Sequence, residues 1–325
     1  KLWSMVRNNM TEDVLMSRNH SVKYLNRMTL RCKMLCLLAV MSLCHLRAQD
    51  ALPLQAVVDC EAVSCDTLFA YGHRTDTIDW LPVVWPSVFR MQQANVLTDS
   101  LGVLHPFWEK LRLMRVGDVS DTVRVVHVGD SHIRGHMLTD TVASLLRKVF
   151  TNMTYRDFGI NGAFCISFTQ KERVEAIAAL KPDLLILSFG TNESHNYRYN
   201  TEVHYRQMDE LVRMLRERLP DVPMMLTTPP GSYESKRRGR GRRTYAINPR
   251  TSAVVKNIIR FADANGLAVW DLYDIAGGVK RACLNWQEAG LMRPDHIHFM
   301  PAGYALQGEL LYEAIVKTYN AYVEH

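Results

Sequence analysis

The chain has 325 residues, 47% of them hydrophobic, which suffices for one large cored domain with additions or for two small ones. Its formal charge of +6 is concentrated at the start. Of 39 Lys/Arg and 33 Asp/Glu, residues 1–48 hold eight basic residues (Lys1, Arg7, Arg18, Lys23, Arg27, Arg31, Lys33, Arg47) and two acids (Glu12, Asp13), so 31 of each remain beyond. A formally neutral remainder excludes attraction of the whole surface to nucleic acid.

Within residues 1–48 the order of features is that of an export leader. Met28 is followed by Arg31 and Lys33, then by the apolar run Met34–Leu46, then by Arg47-Ala48-Gln49 with a small residue where a signal peptidase cuts. The run is too short for the roughly 20 residues that span a bilayer. An uncleaved anchor or a buried helix is the alternative. Leu43 before Cys44 argues against a lipoprotein, for which a small residue is expected there. The expected location is periplasmic or extracellular, with Met28 as the initiator and residues 1–27 outside the folded protein. Seven cysteines are present; Cys32, Cys36 and Cys44 fall in the leader. Export permits a disulfide, for which Cys60 and Cys65 are the candidates, with two free thiols as the alternative. Cys165 and Cys283 complete the set, and no cysteine spacing resembles a zinc site.

Residues 49–120 read as an irregular extension packed on the main domain, with Trp80, Trp85, Trp108 and one amphipathic stretch at 107–114. From 121 to 325 strands alternate with helices. Strands are predicted at 122–128, 153–158, 183–188, 223–228 and 267–272, and helices at 137–150, 172–180, 202–218, 251–264 and 301–316. The first helix carries Leu138, Val142, Leu145, Leu146 and Val149 on one side, and DLLILS at 183–188 is the unbroken apolar run of a strand covered on both faces. Pro301 suits the first turn of the last helix. Five strands separated by helices predict a flavodoxin-like three-layer α/β/α sandwich around a five-stranded parallel sheet. Ligands of such sheets bind beyond the carboxyl ends of the strands.

Four stretches lie there or just before the last helix. Val128-Gly129-Asp130-Ser131-His132 follows the first strand: a serine on this turn is exposed and its own N–H can face an oxyanion, although Gly-Asp-Ser is also an ordinary capped turn. Gly159-Ile160-Asn161-Gly162-Ala163 follows the second strand as a plain turn, or as one that brings a glycine N–H to a ligand. Ser188-Phe189-Gly190-Thr191-Asn192-Glu193 follows the third, where Asn192 can donate to a developing negative charge or cap a helix. Pro294-Asp295-His296-Ile297-His298 precedes the last helix. The three-residue spacing lets the Asp295 carboxylate reach the His298 Nδ1–H, and the same cluster could ligate a metal.

Taken in order, these four blocks resemble the SGNH/GDSL hydrolase family over roughly residues 122 to the end. The resemblance implies that Ser131 is the nucleophile, His298 the base and then the acid, and Asp295 its orienting partner. It implies an oxyanion hole of the Ser131 N–H, the Gly162 N–H and the Asn192 side chain. His132 stands where the family's name has leucine. The text around Asp295-His298-Phe299, with Pro301-Ala302-Gly303-Tyr304 and Gln307-Gly308, is similar to exported bacterial glycan and peptidoglycan O-acetylesterases. The implied reaction is deacylation of a carbohydrate, with no metal or organic cofactor. An O-acetyltransferase and a non-catalytic glycan-binding protein are the alternatives.

The dense basic run of Lys236, Arg237, Arg238, Arg240, Arg242 and Arg243 falls in a long connection after the fourth strand. It reads as contact with an anionic glycan or membrane surface, or as a solvated loop. Trp286 can stack on a sugar or pack in the core. His127, inside the first strand, reads as a satisfied core histidine, and Asp157 has no role at this stage.

Overall fold

The computed structural model describes residues 76–117, 121–237 and 243–324. The leader, the cysteine pair Cys60 and Cys65, and residues 238, 240 and 242 of the basic run lie outside these ranges.

A parallel sheet of five strands forms the middle layer, in the order β2 (Met153–Gly159), β1 (Val123–Gly129), β3 (Leu184–Ser188), β4 (Met224–Thr227) and β7 (Ala268–Trp270). Alternation along β3 shows how the layers arise. Leu184 and Ile186 enter one core with Val142 and Leu146 of α3 (Met137–Val149) and Leu310 and Leu311 of α10 (Pro301–Glu324). Leu185 and Leu187 enter the other, with Leu211 and Leu215 of α6 (Thr201–Arg218), Val254 and Ile258 of α7 (Thr251–Asn265), and Ile177 of α4 (Lys171–Ala179). A strand buried from both sides needs apolar residues at every position, and β3 has them at Leu184–Leu187. The predicted three-layer sandwich is thus the observed fold.

The structure departs from the sequence expectation in three places. The basic run is not a structureless connection: β5 (Tyr233–Arg237) and β6 (Arg243–Ile247) form an antiparallel pair separate from the main sheet. The segment after β7 is helical, as α8 (Leu272–Ile275) and α9 (Gly278–Glu288). The last helix runs on to Glu324, beyond the predicted end at 316, because Tyr319 still packs edge-on against Phe150.

Residues 76–104 contain no regular element, and α1 (His105–Arg115) follows them. This segment packs into the first core through Ile78, Phe89, Phe107, Trp108 and Leu111. Trp286 is fully buried edge-on to both Phe89 and Phe299, and its indole N–H donates to the Pro230 carbonyl at 3.2 Å. That removes it from sugar stacking. His127 is satisfied, with Nδ1 2.7 Å from the Tyr155 hydroxyl and Nε2 2.6 Å from the Ser188 hydroxyl. Among the described residues no helix is long and apolar enough to cross a membrane.

The strand register aligns Gly129 with Gly159 on one side and with Ser188 on the other, so three strands end level. The four-residue helix α2 (Ser131–Arg134) lies directly on two of these ends. A Cβ on Gly159 would stand 2.1 Å from the Arg134 backbone nitrogen, and one on Gly129 would stand 2.4 Å from Ile133 Cγ1. Backbone cannot yield as a side-chain tip can. We therefore predict that Gly159→Ala costs about 1–3 kcal/mol of stability through forced overpacking. In urea denaturation the midpoint should fall with the slope unchanged; an unshifted midpoint contradicts this packing.

Candidate active site

Ser131 is the first residue of α2. Asp130 caps the helix, its Oδ1 accepting the His132 N–H at 2.9 Å, so the chain turns sharply off β1 and the Ser131 side chain emerges half-exposed at the strand end. It lines a cleft of about 730 Å³ together with Gly162, Asn192 and His298. Four residues that sequence reasoning singled out from four separate loops are thereby brought to one wall.

Ser131 Oγ lies 2.9 Å from His298 Nε2, and His298 Nδ1 lies 2.8 Å from Asp295 Oδ2. The other Asp295 oxygen accepts the N–H groups of Ile297 and His298, each at 2.9 Å. Partial burial by itself would raise the Asp295 pKa. The two backbone donors and His298 outweigh it and hold the carboxylate below its ordinary value. An ionised Asp295 fixes the Nδ1–H tautomer of His298 and leaves Nε2 to accept from the serine hydroxyl. His296 between them takes a left-handed φ of 57°, and its ring turns away to lie 4.0 Å from that of Tyr245 and 5.5 Å from that of Tyr233. The two neighbouring histidines therefore face different surroundings. With both His298 nitrogens engaged and His296 among tyrosines, the geometry does not support the metal alternative for this cluster.

The N–H groups of Ser131 and Gly162 donate to no protein partner among the described residues, so both are open to a ligand in the cleft that the residues line. Asn192 differs from the simple expectation. Its side-chain amide donates to the Ala163 carbonyl at 2.9 Å and makes a longer 3.3 Å contact with Asp130 Oδ2. The first bond aims the amide, and the second is weak enough to be exchanged for a developing anion. Burial pushes the Asp130 carboxyl up to about 7; nearby Glu193 adds to this, and the His132 N–H opposes it.

Several residues at the site were not found from sequence. His132 is buried, its ring 5.3 Å from that of His298 and its Nδ1 3.0 Å from the Tyr304 hydroxyl; burial lowers its pKa to about 3, so it is a neutral ring. Glu193 braces two loops, accepting from Gly190 N at 2.9 Å and Cys165 N at 2.7 Å. With Cys165 and His204 it also forms a buried group whose ligand-type atoms lie within 4.8 Å of one another. Spread over 40 positions, that group has no spacing signature. His195 enters the cleft wall from α5 (Thr191–His195), its Nε2 2.9 Å from the Ser232 hydroxyl. Arg134, Arg293 and Tyr304 complete the polar lining. Asp130, His132, Glu193 and Tyr304 stand within the blocks already quoted from the sequence, but the contacts that give them these roles are not local.

Comparisons with known proteins bear on the family and the fold. The sequence model of the GDSL-like lipase/acylhydrolase family matches residues 127–306, more than half of the chain. No curated protein sequence matches it. Among solved structures, a peptidoglycan O-acetylesterase superposes with a TM-score of 0.62 at 17% identity, covering 69% of this chain and 99% of that one. A catalytic mutant of an acetylxylan esterase from Geobacillus stearothermophilus gives 0.45 at 15% identity, covering 62% and 95%. A carbohydrate acetylesterase from Sinorhizobium meliloti gives 0.44 at 14%, covering 61% and 100%. By the matched span and the α/β/α fold, the chain belongs to the GDSL-like lipase/acylhydrolase family and is an SGNH-type serine hydrolase of carboxylic esters.

Proposed function

We propose that the protein removes O-acetyl groups from a carbohydrate, such as peptidoglycan or another polysaccharide, outside the cytoplasm. The observation that carries the chemistry is the continuous line from Asp295 through His298 to Ser131, with contacts of 2.8 and 2.9 Å. The preference for a carbohydrate is supported by the peptidoglycan O-acetylesterase that shares this fold. The leader pattern of residues 28–48 supports the location, and the exposed Lys236 and Arg243 of the β5–β6 pair support contact with an anionic surface.

In this mechanism His298 Nε2 takes the Ser131 proton as Oγ attacks the ester carbonyl. The Ser131 and Gly162 N–H groups and the Asn192 amide receive the oxyanion. The imidazolium, stabilised by Asp295, returns its proton to the departing sugar hydroxyl. Water then repeats the sequence on the acyl-serine and releases acetate. An acyltransferase would form the same acyl-serine and pass it to a second sugar hydroxyl. Measuring released acetate from acetylated peptidoglycan and acetylated xylan, beside acetyl groups newly fixed on an unacetylated acceptor glycan, separates the two fates. A non-catalytic glycan-binding protein would do neither.

Ser131→Ala and His298→Ala should each lower turnover of an activated acetyl ester by at least roughly 10⁴-fold, leaving the residual catalysis of oxyanion hole and binding. His296→Ala should keep most of the activity, with folding checked by circular dichroism. An inactive His296 variant beside an active His298 variant would overturn the assignment of Asp295 as well.

Asn192→Ala should reduce kcat by about 10²–10³-fold, or about 2.7–4 kcal/mol, with little change in KM. A raised KM at normal kcat would make Asn192 a binding or packing residue only. Prolonged EDTA treatment should leave turnover unchanged, because both nitrogens of His298 are already engaged. Loss of activity that a divalent ion restores would place a metal in the mechanism.

A further inference from the structure

From the charges of the cleft we infer that the acyl-bearing sugar also carries an anionic oxygen group, held between Arg134 and Arg293. This rests on the esterase reading and narrows its substrate class. Arg134 and Arg293 line the same cleft as Ser131 and His298, and no aspartate or glutamate lines it. Asp295 is committed to His298 and Asp130 is buried beneath the serine turn. The open wall thus presents two permanent cations with no counter-charge.

Each cation is tied to one half of the reacting pair. Arg134 closes α2, three residues after Ser131, and its backbone is pinned on Gly159. Its guanidinium is also held: Nη1 donates to His136 Nε2 at 2.9 Å, while His136 Nδ1 lies 2.6 Å from Asp157 Oδ2, which also accepts the Thr139 hydroxyl at 2.6 Å. With Asp157 fixing the Nδ1–H form, Nε2 is left as an acceptor, so the imidazole aims Arg134 without neutralising it. Arg293 belongs to the His298 turn, its N–H donating to the His298 carbonyl at 2.8 Å. Its side chain has no ion-pair or hydrogen-bond partner among the described residues. Several surface arginines elsewhere pair with carboxylates, Arg213 with Glu210 and Glu217, Arg260 with Glu202, and Arg281 with Glu288. A planar guanidinium matches the two oxygens of a carboxylate, and a sulfate presents the same chemistry. Two such donors beside the serine would hold a charged sugar with its ester at Oγ.

The test compares three methyl glycosides bearing one acetyl ester at the same position: a glucoside, a glucuronoside and a sulfated glucoside. The reading is the ratio of kcat/KM, anionic over neutral, which cancels any general loss of activity in a variant. The wild-type ratio should be about tenfold or more for at least one anion, carried mainly by KM, since charge-assisted hydrogen bonds are the strong ones. It should fall below about threefold in the Arg134→Ala/Arg293→Ala double variant and shrink as salt rises. His136→Ala, which frees Arg134 without removing it, should lower the ratio less than Arg134→Ala does. Calorimetry on Ser131→Ala should show the favoured anionic ester binding more tightly than the glucoside. A larger ratio for the glucuronoside than for the sulfated glucoside identifies a carboxylate, and the reverse a sulfate. If the wild type cleaves a small activated ester yet treats all three glycosides alike, or if the preference survives in the double variant, the anionic inference falls and the esterase reading stands. If no ester is cleaved, both fall.

Discussion

The cleft depends on how closely α2 can lie on the ends of β1 and β2. At Gly129 and Gly159 the sheet offers bare backbone, and the helix descends until Ile133 and Arg134 touch it. A β-carbon at either position would lift the helix and carry the serine away from an imidazole fixed to a different part of the chain. The Ser131–His298 bond joins residues 167 positions apart, so it tolerates little displacement at either end. The short serine turn is therefore a packing result before it is a chemical one.

The other end is fixed from α10. Tyr304, one turn into that helix, holds the His132 ring, and His132 lies under His298. A leucine at position 132 could fill the space but could not bind the tyrosine. As a neutral ring, His132 adds no positive charge to compete with protonation of His298 during the reaction, and it gives that histidine a rigid floor. The first and last motif blocks are thereby joined underneath as well as across the cleft.

Much of this was legible in the sequence, for identifiable reasons. Strand β3 announces itself because burial on both faces forces an unbroken apolar run, and the site blocks stand out because strand ends in this fold converge. Asp295 and His298 were legible because their geometry is local. The ladder from Asp157 through His136 to Arg134 was not, since it is made by β2, the α2–α3 junction and α2 meeting in space. The β5–β6 pair was missed because Pro229-Pro230-Gly231 and the basic run carry turn and solvent chemistry rather than apolar alternation. Asn192 lines the cleft, but its tether to Ala163 could not be read, because a side-chain bond to a distant carbonyl leaves no periodic trace.

Strand β7 is only three residues long and forms one margin of the sheet. Thr98 exchanges two backbone hydrogen bonds with its central residue, Val269, each at 2.8 Å, and Asn95 clasps the neighbouring Trp270 indole at 3.0 Å and the Leu310 carbonyl at 2.7 Å. An uncovered margin of this kind is a template on which another chain can polymerise. The irregular stretch ahead of the family-matched region thus acts as a selvedge, finishing the sheet so that it does not unravel into aggregates. The catalytic region cut free of it would keep every reacting group and lose the border that keeps one molecule from joining the next.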